Sequence, residues 1–145
     1  MISIRDMRQE DTEAVAALEA QIFSKPWSKQ GFLDALALGN TIFLVAEADA
    51  QIVGYIGMYV SLDEGEITNV AVDPHVRCRG IGGMLIAAMQ KEAAQRELVS
   101  IVLEVRVSNE SAIRLYERNG FVNQGVRKGF YELPKEDAYI MIYGQ

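Results

Sequence analysis

The chain has 145 residues, half of them apolar, a single cysteine and a formal net charge of -6. That length buries one sizeable core and is too short for two ordinary domains, so one domain over residues 1–145 is expected. A lone cysteine excludes an intramolecular disulfide, the acidic balance argues against nonspecific nucleic-acid binding, and no apolar run approaches the roughly 20 residues that span a bilayer.

The opening Met1-Ile2-Ser3-Ile4-Arg5-Asp6 is not a signal sequence, so a cytoplasmic protein without a membrane partner is expected. Ile2 to Arg5 alternates like a strand with one buried face. Asp11 is placed to cap a helix carrying Val15, Leu18 and Ile22 on one stripe, and Pro26-Trp27-Ser28 breaks it. Ser28 then caps a second helix, with Phe32, Leu33 and Leu36 facing inward, that stops near Gly39-Asn40. Trp27 has two readings: a packing residue, or part of an acceptor groove. Thr41–Glu47 and Gln51–Val60 form a hairpin through Ala48-Asp49-Ala50, and Asp63-Glu64-Gly65 turns the chain into a strand from Glu66. A helix to about Arg96, a nearly all-apolar strand Val99–Val105, a helix capped by Ser108 or Asn109 and ended by Gly120, and strands Phe121–Arg127 and Tyr139–Tyr143 complete the chain. Antiparallel strands followed by strand-helix-strand give a mixed α/β sheet with helices on both faces.

The stretch Ile67–Ala87 organises the rest. A β-branched strand reaches Asp73-Pro74, turns through a basic loop and enters a helix whose first turn holds Gly80, Gly82 and Gly83. A helix start has free N–H groups and the positive end of its dipole, glycines admit a ligand to the backbone, and Arg77 and Arg79 add full charges. This is a place to bind an anion. The dinucleotide pattern fails, because Leu85 stands where its third glycine belongs, and the P-loop fails, because Gly83 and Met84 follow Gly82. What stands instead is Arg77-x-x-Gly80-x-Gly82 behind Val70-Ala71-Val72-Asp73-Pro74. This resembles the pyrophosphate-binding motif of the GCN5-related N-acetyltransferases (GNAT), whose element order the chain also matches from end to end. The resemblance implies their fold, a mixed sheet of about seven strands. It implies acetyl-coenzyme A as co-substrate without a metal, pairing along Val70, Ala71 and Val72, with its pyrophosphate on Arg77, Cys78, Arg79, Gly80, Ile81, Gly82 and Gly83.

Two polar residues need explaining. Glu104 interrupts an apolar strand, where a lone carboxylate requires a cleft, a partner such as Arg106 or another cation, or a raised pKa. It is either so paired or a general base for an attacking amine. Tyr116 shares a helix face with Asn109, Ala112 and Ile113; it is either core or a general acid for a departing thiolate. The run Leu103–Phe121 resembles the corresponding run of the RimI-type ribosomal-protein-alanine N-acetyltransferases. Pro26-Trp27-Ser28, Asn69–Pro74, Arg127-Lys128-Gly129-Phe130-Tyr131 and Glu136-Asp137-Ala138 extend the match. That resemblance implies Glu104 as base, Tyr116 as acid, Asn109 on coenzyme A, Trp27 and Tyr131 on the acceptor, and the N-terminal alanine of a small-subunit ribosomal protein as the acceptor. One departure is Phe130-Tyr131, where such proteins tend to show two tyrosines. The resemblance also implies that the sheet splays beside the Val70–Val72 strand. Alternatives at this level are a relative acting on a small amine or antibiotic, and a non-catalytic acyl-coenzyme A sensor. A Cys78-His75 nucleophile is disfavoured, because the loop supplies Cys78 with no oriented base.

Overall fold

The computed structural model describes residues 1–77 and 79–144. In chain order the elements are β1 (Ile2–Asp6), α1 (Thr12–Ile22), α2 (Lys29–Ala37), β2 (Thr41–Ala48), β3 (Gln51–Ser61), β4 (Glu64–Val72), α3 (Ile81–Gln95), β5 (Ser100–Arg106), α4 (Glu110–Arg118), β6 (Val122–Glu132) and β7 (Lys135–Gly144). The seven strands form one sheet in the order β1-β2-β3-β4-β5-β7-β6. Every neighbouring pair is antiparallel except β4 and β5, which are parallel and joined across α3. The expected mixed sheet with helices on both faces is therefore present.

Strand β2 shows why the central strands read as continuous apolar runs. Ile42, Leu44 and Ala46 join the core under α3 and α4, while Phe43 and Val45 point the other way, into the core under α1 and α2. A period of two buried on both faces leaves no polar alternation to see. On the α3 and α4 side, Ile81, Leu85, Ile86, Met89 and Tyr116 pack on Ile56, Met58, Leu103 and Met141. On the other, Val15, Leu18, Phe32 and Ala35 pack on Phe43, Val45 and Tyr55. The turn after β2 puts Asp49 and Ala50 at φ 52° and 65°, the left-handed pair a tight hairpin needs.

The largest departures from the sequence reading fall at α1, β4 and the β6–β7 hairpin. Asp11 does not cap α1: its carboxylate is taken by the Arg5 guanidinium at 2.8 Å and by the Arg8 N–H at 2.7 Å, and α1 follows a short 3-10 turn, Gln9–Asp11. Strand β4 begins at Glu64, because the turn falls one step earlier with Leu62 at φ 56°. Strands β6 and β7 are longer than expected and form a projecting hairpin. Most of β6 is exposed on both sides, so its sequence carries no apolar alternation to mark it. Ser28 and Asn109 do cap α2 and α4, accepting from the N–H groups of Gly31 at 3.1 Å and Ala112 at 3.2 Å.

Strands β4 and β5 pair only from Glu64 opposite Ser100 to Ile67 opposite Leu103. Beyond that they part. At the same level Gly57 of β3 faces Asn69 and Met58 faces Ile67, so Thr68 is an extra residue on β4. Such a bulge bends its strand and turns it away from a neighbour. The expected splay is thus in place beside Val70 and Val72.

Candidate active site

The parting opens a cavity of about 760 Å³. Its walls are Thr68, Asn69 and Val70 of β4, Leu103 to Arg106 of β5, and Asn109 and Tyr116 at α4. Glu19 and Ile22 of α1, the α1–α2 loop with Phe23, Lys25 and Trp27, and the β6–β7 turn from Phe130 to Pro134 complete it. Five of the predicted site residues therefore meet in one space: Glu104, Tyr116, Asn109, Trp27 and Tyr131. Val70 contributes the donor strand to the same space.

Glu104 reaches the cavity because it sits where β5 has lost its partner, on the face alternate to Leu103 and Val105 in the core. Its side chain is only 10% exposed. Burial raises its pKa above the ordinary 4.5, the Glu66 carboxylate pushes the same way, and Arg127, whose Nη1 lies 3.5 Å from Oε2, pulls it back. A carboxylate so placed is more basic than one in water. Its cation is Arg127. Arg106 is engaged elsewhere: it holds Glu136 at 3.1 Å, donates to the carbonyl oxygens of Pro134 at 2.8 Å and Leu133 at 3.3 Å, and lies 4.3 Å above the Tyr131 ring.

Tyr116 is 8% exposed and packs against Phe121, ring centroids 5.8 Å apart. Burial raises its pKa well above that of free tyrosine, so the phenol keeps its proton until a stronger base arrives. That suits a proton donor. Trp27 packs as one of its readings expected, its ring 5.3 Å from that of Phe32 beside the core cluster, and it also lines the cavity. The cavity is bridged on its open side. Ser24 Oγ donates to the Leu133 carbonyl at 2.6 Å, and Lys25 pairs with Glu132 at 2.8 Å, so the α1–α2 loop touches the β6–β7 turn.

The residues expected to bind an anion lie beyond the cavity, farther along the chain from Val70. Asp73 accepts from the His75 N–H at 2.9 Å and faces its Nδ1 at 3.0 Å, which fixes the turn Pro74–Val76 and leaves the His75 ring exposed. Arg77 and Arg79 are exposed; Arg77 Nε donates to the Val72 carbonyl at 3.3 Å. Cys78 lies outside the described residues. Gly80 precedes α3 with φ 76°, and the first intrahelical bond is from Met84 to Gly80 at 3.0 Å. The N–H groups of Ile81, Gly82 and Gly83 are therefore free of intrahelical partners. Gly82 has a second reason to be glycine: a Cβ there would stand 2.9 Å from Leu115 Cδ2 of α4. Packing, and not ligand approach alone, explains this residue.

Sequence reasoning missed Glu19. It is 3% exposed, with Oε2 accepting from the Trp27 N–H at 3.0 Å and Oε1 buried without a partner of regular geometry. The signal was available: Glu19 falls four residues after Val15 and three before Ile22, on the apolar stripe itself. Asn69 was noted only within a motif; it is 6% exposed and accepts from Thr68 Oγ1 at 2.6 Å.

The family model described as Acetyltransferase (GNAT) family matches residues 7–121. A Bacillus subtilis relative is 37% identical over 141 residues, which is 96% of this chain and 93% of its own. The [ribosomal protein bS18]-alanine N-acetyltransferase of Salmonella typhimurium is 35% identical, covering 97% of this chain and 96% of that protein. Among solved structures, the ribosomal-protein-S18-alanine N-acetyltransferase from Escherichia coli superposes with a TM-score of 0.91 at 29% identity, over 99% of this chain and 94% of that one. With a family model over residues 7–121 and relatives above 30% identity along nearly its whole length, the chain belongs to the acetyltransferase (GNAT) family.

Proposed function

We propose that the protein moves the acetyl group of acetyl-coenzyme A to a protein N-terminal α-amine, and that the acceptor is the N-terminal alanine of a small-subunit ribosomal protein. The observation that carries this is the parting of β4 and β5 after Ile67 and Leu103, with Glu104 and Tyr116 both on the cavity it opens. The names of the relatives support the acceptor. The extended pantetheine arm pairs with the free edge of β4 at Val70 to Val72, and the pyrophosphate rests on the N–H groups that begin α3, flanked by Arg77 and Arg79. Asn109, at the start of α4, bounds the arm from the other side.

The acceptor enters between the α1–α2 loop and the β6–β7 turn, past Trp27 and Tyr131. Its ammonium group has a pKa near ~8 and loses a proton toward Glu104. The neutral nitrogen attacks the thioester carbon, a backbone N–H on β4 steadies the oxyanion, and the carbon–sulfur bond breaks. Tyr116 gives its proton to the departing sulfur and recovers one from the attacking nitrogen's side through solvent. Products are the N-acetylated chain and coenzyme A.

The test is release of free thiol from acetyl-coenzyme A with a basic peptide beginning in alanine, with mass spectrometry to locate the acetyl group. Modification of the α-amine alone is expected. Thiol release with free small amines but none with the peptide would replace this reading by a small-molecule acetyltransferase.

A further inference from the structure

Two arginines stand in one row across the hairpin and behave oppositely. Arg106 of β5 faces Ala138 of β7, and Ala138 faces Arg127 of β6, so all three side chains share the face that also carries Glu104, two residues before Arg106. Arg106 is fixed: 25% exposed, it donates to Glu136, Pro134 and Leu133 and lies over the Tyr131 ring. Arg127 is held loosely. Its side chain is 55% exposed, its Nη1 stands 3.5 Å from Glu104 Oε2, and its guanidinium carbon lies 5.5 Å from the centre of the Phe130 ring. The first distance is longer than a good charged hydrogen bond, and the second is within reach of a cation–π contact. Lys25, on the cavity wall, is paired with Glu132. Among the described residues Arg127 is thus the cation that Glu104 faces.

A loose cation beside a buried base has a chemical use. The acceptor arrives at neutral pH mostly as an ammonium ion, and a carboxylate only 10% exposed, with no other counter-ion, would hold it in a strong ion pair. That pair exists only before the proton moves, because afterwards amine and carboxyl group are both neutral. It would stabilise the bound substrate and not the transition state, lowering KM and kcat together. We propose that Arg127 is a positioning residue: it is the resident counter-ion of Glu104 and competes with the acceptor's ammonium group for that carboxylate, so that the acceptor is held loosely enough to react. The face of Phe130 gives the guanidinium a second resting place as the ammonium group comes in. This role rests on the acetyl-transfer reading with Glu104 as base.

The experiment pairs a change in the protein with a change in the ligand. The ligands are a basic peptide beginning in alanine and the same peptide with a propanoyl group in place of the alanyl group, which lacks the amine alone. Their Kd values are measured by calorimetry at neutral pH on protein saturated with coenzyme A, so that no transfer occurs. The alanyl peptide should bind Arg127→Gln about fivefold tighter than the wild type, while the propanoyl peptide stays within about twofold. In turnover, at a pH above the acid limb of both enzymes, Arg127→Gln should show a lower KM for the peptide together with a kcat reduced about threefold or more. Arg127→Lys puts a cation back and should return both constants to within about twofold of wild type. An arginine that only braced the hairpin would, once removed, weaken both peptides alike. The proposal is overturned by an alanyl peptide bound no tighter in Arg127→Gln, by equal shifts for the two peptides, by a raised KM, or by Arg127→Lys behaving as Arg127→Gln. If the wild type releases thiol with a small amine and not with the peptide, the proposed acceptor falls. The same cycle, run with that amine and its deaminated analogue, then still decides the role of Arg127. A wild type that acetylates no amine overturns both.

Discussion

Replacing Glu104 by glutamine keeps the shape of the side chain and removes its capacity to take a proton. At pH 7 an α-amine with a pKa of ~8 is about one tenth neutral, so stripping its proton accounts for roughly 1.4 kcal/mol of the barrier. A positioned base contributes more, typically about 10²–10⁴ in rate, or roughly 3–5 kcal/mol. Because the cavity is otherwise preserved, and Arg127 keeps an oxygen to face, Glu104→Gln should lose about 10²-fold in kcat at pH 7, the low end of that range. The pH profile is the sharper assay. The variant depends on amine already neutral in solution, so its rate should rise about tenfold per unit up to pH ~8, narrowing the gap to the wild type. The wild type should instead lose activity on the acid side, as Glu104 is protonated at a pKa raised above 4.5. Arg127 lowers that pKa, so Arg127→Gln must move the acid limb to higher pH. A Glu104→Gln enzyme within threefold of wild type and with the same profile would remove Glu104 from the base role.

Three further outcomes follow from the geometry. Tyr116→Phe should slow transfer by about 10²-fold while acetyl-coenzyme A binding, measured by calorimetry, is unchanged; a binding defect of equal size would assign the hydroxyl to the cofactor instead. Arg79→Glu should weaken acetyl-coenzyme A by about tenfold or more, an effect that shrinks with added salt, and retained affinity would mean that the pyrophosphate lies elsewhere. Arg106→Ala removes the side chain that ties Leu133, Pro134 and Glu136 together and supports the Tyr131 ring, so KM for the peptide should rise several-fold with Kd for acetyl-coenzyme A constant.

Much of the site was legible because its chemistry depends on residues that break a pattern. Glu104 interrupts an apolar strand, and three glycines interrupt a helix start; both interruptions put residues where the element's own pattern does not call for them. The fold was legible for the opposite reason, since β2, β3 and β5 are apolar runs with no competing period. The hairpin of β6 and β7 was read too short because exposure on both faces leaves nothing to alternate. Asp11 misled because an N-cap position is defined by sequence spacing, whereas its carboxylate answers to Arg5, six residues earlier at the end of β1, and to the Arg8 N–H. Gly82 carries a more general lesson: its motif position and its 2.9 Å approach to Leu115 impose the same residue for two reasons, and sequence shows only one. Glu19 escaped because a stripe was scored by the apolar residues it contained and not by the one it should have excluded.

A sheet that parts in its middle has four edges instead of two. Besides the outer margins at β1 and β6, the inner rims of β4 beyond Ile67 and β5 beyond Leu103 carry backbone groups with no strand opposite them. Open rims of this kind invite other sheets to add on, and proteins commonly shield them. Here the shielding comes from Ser24 with Leu133 and Lys25 with Glu132, which close the mouth to anything as broad as a second sheet. The two contacts that guard these rims against a second sheet are also the ones that bound the mouth of the cavity.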